Sequence, residues 1–277
     1  MVLFLLLLAA PVTPPTEVAP SKQAWEMLKT GFADKSAARR AKAVHALGLI
    51  KDREAQRMAE EALNDPDKDV RSEAAAALGR MNSAAARPKL RACLNDKEIQ
   101  VVLACTNSLY LLKDPMANEV YYALLTEERK SSKGLMQSQL ATLRDRKQLE
   151  KLAFETGIGF VPYGGIGWQA IKTIAHDDIS PVRALAAGRL ATDPDPKSGK
   201  ALTDYLSDKK VLVREGVVEA IAKRGDPALL KDVVALLDDE NESVRYDAAA
   251  TVIYLSRRHA VARAKSSTGR SPEDHAK

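Results

Sequence analysis

Metal-ligating and aromatic residues are scarce in this chain. It contains 2 cysteines and 4 histidines, and 5% of its 277 residues are aromatic. The sequence has no CxxC, no HExxH and no other cluster of His and Cys, so it predicts no metal site and no cofactor. It has no recognisable Ser/His/Asp arrangement either, and we therefore predict no catalytic residues and no enzymatic activity. The low aromatic content, with alanine at the small positions, favours closely packed helices over a β-sandwich.

Excess charge is absent from most of the chain. The formal net charge is +5, and residues 257–277, with six basic and two acidic side chains, carry +4 of it. A groove that neutralises several phosphates needs a clustered excess of Lys and Arg. The near-neutral body of the chain therefore argues against a nucleic acid as the partner.

A long apolar run occurs at the N-terminus. Val2–Ala10 is too short to span a bilayer stably and has the length of the apolar part of a signal peptide, although no Lys or Arg precedes it. We predict a leader and Pro-rich linker over residues 1–20 and an exported protein, periplasmic or secreted; a cytoplasmic protein is the alternative. Cys93 and Cys105 fall in apolar helical patterns. Free thiols packed in the core are favoured, and a disulfide is the alternative that export would permit.

One pattern recurs along the chain at a spacing of 31 residues. Its Val-Arg pairs stand at Val182/Arg183, Val213/Arg214 and Val244/Arg245. Self-similarity at 20–50 residues is typical of solenoids. Within each copy, apolar residues follow a helical period, and a second apolar helix comes after a short turn. Each unit is predicted to be a helix–turn–helix whose apolar face only its neighbours can bury.

About seven such units are predicted over residues 21–258. An insertion at about 157–175 interrupts them after the fourth unit, and residues 259–277 are predicted to be a disordered basic tail. The segment Lys22–Thr30 is predicted to be an N-terminal capping helix. The seventh unit has a first helix, Glu242–Arg258, and no second one. One apolar side of that helix is therefore expected to be open, as a possible homodimer contact; it is formed by Val244, Ala248, Val252 and Leu255.

The repeat resembles the short units of the HEAT-like family, with the signature D-x4-V-R-x2-A-A-x-A-L-G. The residues that match it in the second unit are Asp65, Val70, Arg71, Ala74, Ala75, Ala77, Leu78 and Gly79. The resemblance implies an all-α superhelical solenoid in which the second helices line the concave face. It also implies that the Asp and Arg bond along the stack, which gives a structural role to Arg71, Arg183, Arg214 and Arg245.

The family resemblance says little about function. We predict a scaffold that holds a protein or peptide on its concave face and on the insertion loop. Arg and Tyr dominate protein interfaces, so they are the candidates on the second helices, although an ordinary solvated helix face is the alternative. The candidate partner-binding residues are Arg87, Arg91, Tyr121, Tyr122 and Tyr205 on those helices and Phe160, Tyr163 and Trp168 in the insertion.

The insertion reads GIGFVPYGGIGW over Gly157–Trp168. A Gly-rich turn can cradle a phosphate, but this one has no GxxxxGK[ST] pattern and no Lys or Arg. A loop that folds back over the groove and a loop that binds a partner or ligand both stay open. The alternative function is therefore an enzyme or lyase subunit that uses this loop as a ligand site. The diiron hydroxylases of the family need repeated His-Glu pairs, and none occurs here. His45 is expected to be packed or half-exposed rather than reactive.

Overall fold

A computed structural model describes residues 19–126 and 180–268, and helix is the regular secondary structure throughout them. The helices are α1 (Pro20–Phe32), α2 (Ala37–Leu47), α3 (Arg53–Ala62), α4 (Lys68–Arg80), α5 (Arg87–Cys93), α6 (Ile99–Leu111), α7 (Pro115–Thr126), α8 (Ser180–Leu190), α9 (Pro196–Asp204), α10 (Val211–Arg224), α11 (Leu230–Val234) and α12 (Glu242–Thr268). Short 3-10 turns precede α5 and flank α11. The leader, the predicted fourth unit and the insertion lie outside the described residues.

The repeat units are present as helix pairs. The first helices of the six described units are α2, α4, α6, α8, α10 and α12, and the second helices α3, α5, α7, α9 and α11 follow the first five in their own units. Side-chain caps explain where several of them begin. Asp52 accepts a hydrogen bond from the backbone N of Ala55, and Asp67 caps α4 in the same way. Gly225, in the left-handed region at φ 65°, ends α10.

Small residues let the first helices approach closely. The predicted apolar stripe of α4 is buried between α2 and α6, with Val70, Ala74 and Leu78 at 0% exposure. A methyl group on Gly79 would stand 2.7 Å from Oγ of Ser108 in α6. The Ser108 hydroxyl donates to the carbonyl oxygen of Ala75 at 2.7 Å, so the closest approach of α4 and α6 is also bridged by a hydrogen bond.

A ladder of Arg–Asp pairs links successive units. In each pair the guanidinium donates to the carboxylate that opens the next unit, 25 residues further on, at 2.5–2.9 Å. The prediction of a structural role is confirmed for these arginines, and Arg40, in a copy that lacks the Val, behaves like them. Arg245 donates to backbone oxygens of Asp239 and Glu240. The four ladder pairs are Arg40–Asp65, Arg71–Asp96, Arg183–Asp208 and Arg214–Asp239.

The units do not stack in chain order. The first helices pack in the order α8, α10, α12, α2, α4, α6, so the seventh unit is followed by the first. Helix α1 packs against both α12 and α2, which is the place that a second helix of the seventh unit would take. The prediction of α1 as a cap at the end of the array is therefore wrong: α1 completes a unit whose other helix comes from the opposite end of the chain.

The apolar side of α12 is consequently covered. Val244, Ala248, Val252 and Leu255 are all at 0% exposure. The prediction that this side is open is wrong, because α1 and α2 of the same chain pack over it. The surface that was predicted as a homodimer contact is therefore buried within the chain.

Polar contacts reinforce the junction between the two ends of the chain. Glu242 in α12 pairs with Arg39 at 3.1 Å and with Lys42 at 3.2 Å. Arg257 pairs with Asp52 and lies 5.8 Å from the ring centroid of Trp25. Helix α12 continues to Thr268, beyond the predicted end at residue 258, through a segment rich in Ala, Arg and Lys, which favour helix.

Cys93 and Cys105 form a disulfide with a Cα–Cα distance of 6.2 Å. The favoured prediction of two free thiols is wrong, and the alternative holds. The physical reason is that the C-terminal end of α5 packs against α6, which brings the two apolar positions face to face. Within the part of the chain that the structure describes, no helix is both long and apolar enough to cross a bilayer.

Candidate functional site

The concave face of the stack is formed by first helices. Nε2 of His45 in α2 lies 3.3 Å from Oε1 of Glu219 in α10, although α12 stands between these helices in the stack. Packed helix axes are about 8–10 Å apart, so alternate helices are about twice that distance apart on a flat layer. The two side chains can meet only if this face curves inwards. The expectation from the resemblance, that the second helices line the concave face, is therefore wrong here.

Two positions of the repeat supply the side chains that meet on this face. Glu73 and Asp247 stand three residues after the Val of their Val-Arg pairs. Glu219 stands six residues after its Val, and His45 holds the same place in the first unit. Positions three residues apart share one face of a helix. The stack does not fix the residue type here, since other units carry Ala, Asn, Gly, Leu or Lys at these two positions.

His45 lies at the centre of a cluster that it forms with Glu73, Glu219 and Asp247. Its Nδ1 lies 2.9 Å from Oε2 of Glu73, and its Nε2 faces Glu219. Nη2 of Arg80 donates to the carbonyl oxygen of His45 at 2.9 Å and lies 3.8 Å from Glu73. The His45 side chain is 32% exposed, which agrees with the prediction of a half-exposed residue. It is nonetheless held on both ring nitrogens by carboxylates.

These contacts shift the protonation of the cluster. The charge of Arg80 and burial act to lower the pKa of His45, but the carboxylates of Glu73 and Glu219 together outweigh them and raise it to about 10. Burial acts to raise the pKa of Glu73, whereas His45 and Arg80 together lower it to about 2. His45 is therefore an imidazolium at neutral pH, bound between two ionised carboxylates.

Asp247 adds a buried carboxyl group with a raised pKa to the cluster. Its side chain comes from α12, the helix between α2 and α10, and the residue is 4% exposed. Burial raises the pKa of Asp247 to about 8, and the nearby charges of Glu219 and Glu215 act in the same direction. One ligand atom each from His45, Glu219 and Asp247 all lie within 4.8 Å of one another. Imidazole nitrogen and carboxylate oxygen are ligands for divalent transition metals, so these three residues could hold one such ion.

The partner-binding residues predicted from the sequence do not join this cluster in the described part of the chain. Arg91 pairs with Asp114 at 2.8 Å, and Arg87 donates to the carbonyl oxygen of Leu112, so both hold the turn between α6 and α7. Tyr205 is 49% exposed and lies under Arg183, 4.9 Å from its guanidinium carbon. Helix α7 carries Tyr121 and Tyr122, whose side chains the structure does not describe. The insertion residues Phe160, Tyr163 and Trp168 are likewise outside the described residues.

Sequence reasoning did not find the cluster. The side chains of His45 and Glu73 come from the first two units, and those of Glu219 and Asp247 come from the sixth and seventh. Nothing in the 31-residue period says that the seventh unit packs against the first. A signal did exist. In the register of the repeat, charged residues occupy two positions that are Ala, Asn, Gly or Leu in other copies, and those two positions share a helix face.

The chain was compared with known proteins. Among curated proteins, none matches its sequence. Similar solved structures include human deoxyhypusine hydroxylase, with 20% identity, a TM-score of 0.33 and coverage of 85% of this chain and 84% of that one. The CpcE–CpcF complex of phycocyanin lyase from Nostoc sp. PCC7120 shows 19% identity, a TM-score of 0.34 and coverage of 88% and 98%. A designed armadillo repeat protein shows 15% identity, a TM-score of 0.25 and coverage of 86% and 100%.

At these identities and TM-scores, the similar structures carry no argument about activity. The sequence profile of HEAT repeats matches residues 26–109 and 169–253, which is more than half of the chain. These two matches cover α2 to α5 and α8 to α11 in full, with about half of α1, most of α6 and the first part of α12. The chain therefore belongs to the HEAT-repeat family.

Proposed function

We propose that the protein is a non-enzymatic scaffold that binds a protein or peptide segment on its concave face. The observation that carries the proposal is the set of ionisable side chains that four first helices, α2, α4, α10 and α12, direct to one concave surface. A HEAT-repeat stack offers a long surface whose curvature follows from small rotations between units. A partner binds such a surface without chemistry.

The charges on the concave face are separate from the charges that hold the stack. Neighbouring units are joined by buried small residues and by the Arg–Asp ladder, which uses the Arg directly after the Val of each pair. Glu73, Glu219 and Asp247 stand three or six residues after that Val and take no part in the ladder. Burial and the charges of Glu219 and Glu215 raise the pKa of Asp247, so keeping this carboxyl beside the other two costs stability. A role in recognition accounts for their presence.

We also propose that the protein and its partner are exported. The disulfide between Cys93 and Cys105 is of a kind that persists in the periplasm or outside the cell, where thiols are oxidised. The signal-like leader at Val2–Ala10 points the same way. We therefore place the partner in the periplasm or the extracellular space.

A pull-down tests the proposal. The tagged protein is incubated with the periplasmic and secreted fractions, and the retained proteins are identified by mass spectrometry. The concave-face variant is Leu111→Asp. The Leu111 side chain is 49% exposed and holds the same position of the repeat as Arg80 does one unit earlier. The matched control is Arg57→Glu, an exposed position on the second helix α3.

We expect a saturable partner that the wild type and Arg57→Glu retain and that Leu111→Asp loses by about tenfold or more, the equivalent of about 1.4 kcal/mol. Circular dichroism establishes that both variants keep the helical fold. Loss of the partner by Arg57→Glu, with binding kept by Leu111→Asp, would show that the partner binds the second helices. A partner bound equally by all three proteins would rule out the concave face.

A further inference from the structure

We infer that His45, Glu219 and Asp247 form a binding site for one divalent transition-metal ion. The three ligands come from α2, α10 and α12, that is, from the first, sixth and seventh units. The ion therefore lies at the junction where the two ends of the chain meet. This inference does not depend on the proposed scaffold function.

The spacing of the ligand atoms fits a single ion. Zinc binds His nitrogen at about 2.0–2.1 Å and carboxylate oxygen at about 2.0–2.2 Å, so two ligands of one ion are about 3–4 Å apart. The three ligand atoms lie within 4.8 Å of one another before any ion is present. The difference that the ligand atoms would have to close is therefore at most about 2 Å.

The orientation of His45 is already that of a metal ligand. Nδ1 of His45 is engaged with Glu73 at 2.9 Å, which leaves Nε2 directed towards Glu219 and Asp247. A carboxylate that accepts the second N–H of a ligating His fixes its ring and raises its basicity. Glu73 is thus a positioning residue, and Arg80, which lies 3.8 Å from Glu73, holds that carboxylate in turn.

Asp247 provides an observation that is independent of the others. The residue is 4% exposed, and one of its carboxylate oxygens lies within 4.8 Å of the ligand atoms of His45 and Glu219. A buried carboxylate is costly unless a cation or a donor satisfies it. A divalent ion at Nε2 of His45 would place a cation beside this carboxylate.

Binding exchanges protons for the ion. The carboxylates now surround the imidazolium proton on Nε2 of His45, and the same negative charges attract a divalent cation to its place. Binding releases the Nε2 proton to the solvent, together with the proton of Asp247 where that carboxyl is protonated. Two ionised carboxylates at the ion balance its two positive charges.

Equilibrium dialysis and isothermal titration calorimetry test the inference on the full chain after treatment with EDTA. The probes are Zn²⁺ and Mn²⁺ alone. We expect one ion per chain, release of protons when buffers of different ionisation enthalpy are compared, and a higher melting temperature in the presence of the ion. The variants Asp247→Asn and Glu219→Gln remove one ligand charge each with little change in shape, and each should weaken binding at least tenfold.

Glu215→Gln is the matched control. Glu215 lies one helical turn before Glu219 in α10 and supplies no ligand, so this variant should bind within a fewfold of the wild type. Circular dichroism and the melting temperature without metal establish that each variant is folded. Absence of saturable 1:1 binding, or equal binding by Asp247→Asn, would overturn the inference, and neither result would affect the partner pull-down.

Discussion

Gly31 in α1 lies directly against the ring of Tyr246 in α12. A methyl group on Gly31 would stand 2.6 Å from Cζ of that ring, closer than real side-chain contacts allow. Tyr246 itself is 7% exposed. This contact at the junction therefore depends on a residue without a side chain, and it joins positions more than 200 residues apart. It is the structural reason why a helix from the start of the chain can complete the unit at the end.

Replacing Gly31 should weaken this junction. We expect Gly31→Ala to lower the free energy of unfolding by about 1–3 kcal/mol, the range for overpacking a close contact. The matched control is Gly188→Ala in α8, where nothing lies within 4 Å of the added methyl group. That change should stabilise the helix by about 0.5–1 kcal/mol. Urea unfolding followed by circular dichroism measures both, and equal effects of the two substitutions would contradict the packing of α1 on α12.

The Arg–Asp ladder should be costly to break at a single rung. Arg71 donates to Asp96 at 2.7 Å, and the two side chains are 7% and 13% exposed. Arg71→Ala leaves that carboxylate partly buried without its cation, and we expect a loss of about 3 kcal/mol. The control Arg57→Ala, at an exposed position, should change stability by less than about 0.5 kcal/mol. Similar losses for both variants in urea unfolding would mean that the ladder pair contributes nothing specific.

Acid should weaken the fold through the same ladder. The hydrogen bond from Arg40 holds the pKa of Asp65 below its ordinary value of 3.8, and Arg71 lowers the pKa of Asp96 against the opposing effect of burial. The folded chain therefore binds these protons less tightly than the unfolded chain does. The stability contributed by the ladder is fully present above about pH 5 and is lost as the pH falls through 3.8 towards the folded-state pKa values.

Urea unfolding between pH 6 and pH 3 measures this dependence. The free energy of unfolding of the wild type should fall over that interval. In Arg71→Ala the fall should be shallower, because the pKa of Asp96 returns towards its ordinary value when the guanidinium is removed. Parallel curves for the two proteins would show that Asp96 does not titrate through its pairing with Arg71.

The disulfide should stabilise the contact between the second and third units. Cys93 and Cys105 are 12 residues apart, and a loop of about 15 residues corresponds to about 3 kcal/mol in the chain-entropy account. We expect dithiothreitol to lower the free energy of unfolding by about 2–3 kcal/mol in the wild type and to have no effect on the double variant Cys93→Ala with Cys105→Ala. Mass spectrometry after thiol alkylation reports the bond directly, and two alkylated cysteines without reductant would exclude it.

Local structure was largely predictable from the sequence. The 31-residue period gave the helix–turn–helix unit, the buried stripe of Val70, Ala74 and Leu78, and the structural role of Arg71 and Arg214. All of these depend on residues within one unit or on the next unit along the chain. Such contacts repeat with the period, so their signal is present several times over.

The candidate site was not predictable in the same way. His45 and Glu219 are 174 residues apart, and they meet only because the seventh unit packs against the first. Because of the same packing, the helix predicted over Lys22–Thr30 as a cap takes the place of a second helix. It also covers the side of α12 that was expected to be open. A contact made once between the two ends of a chain leaves no repeating pattern in the sequence.

The sequence by itself determined that this chain is a stack of HEAT units, because a helix pair with one apolar face must be buried by another copy of itself. Only the tertiary structure decided which copy buries which. No second helix follows α12 within the described residues, and α1 lies in the place of one, where Gly31 lets it approach Tyr246. That choice curves the first helices inwards and brings His45, Glu73, Glu219 and Asp247 together, since side chains from units far apart in the chain can meet only where the stack joins its own ends.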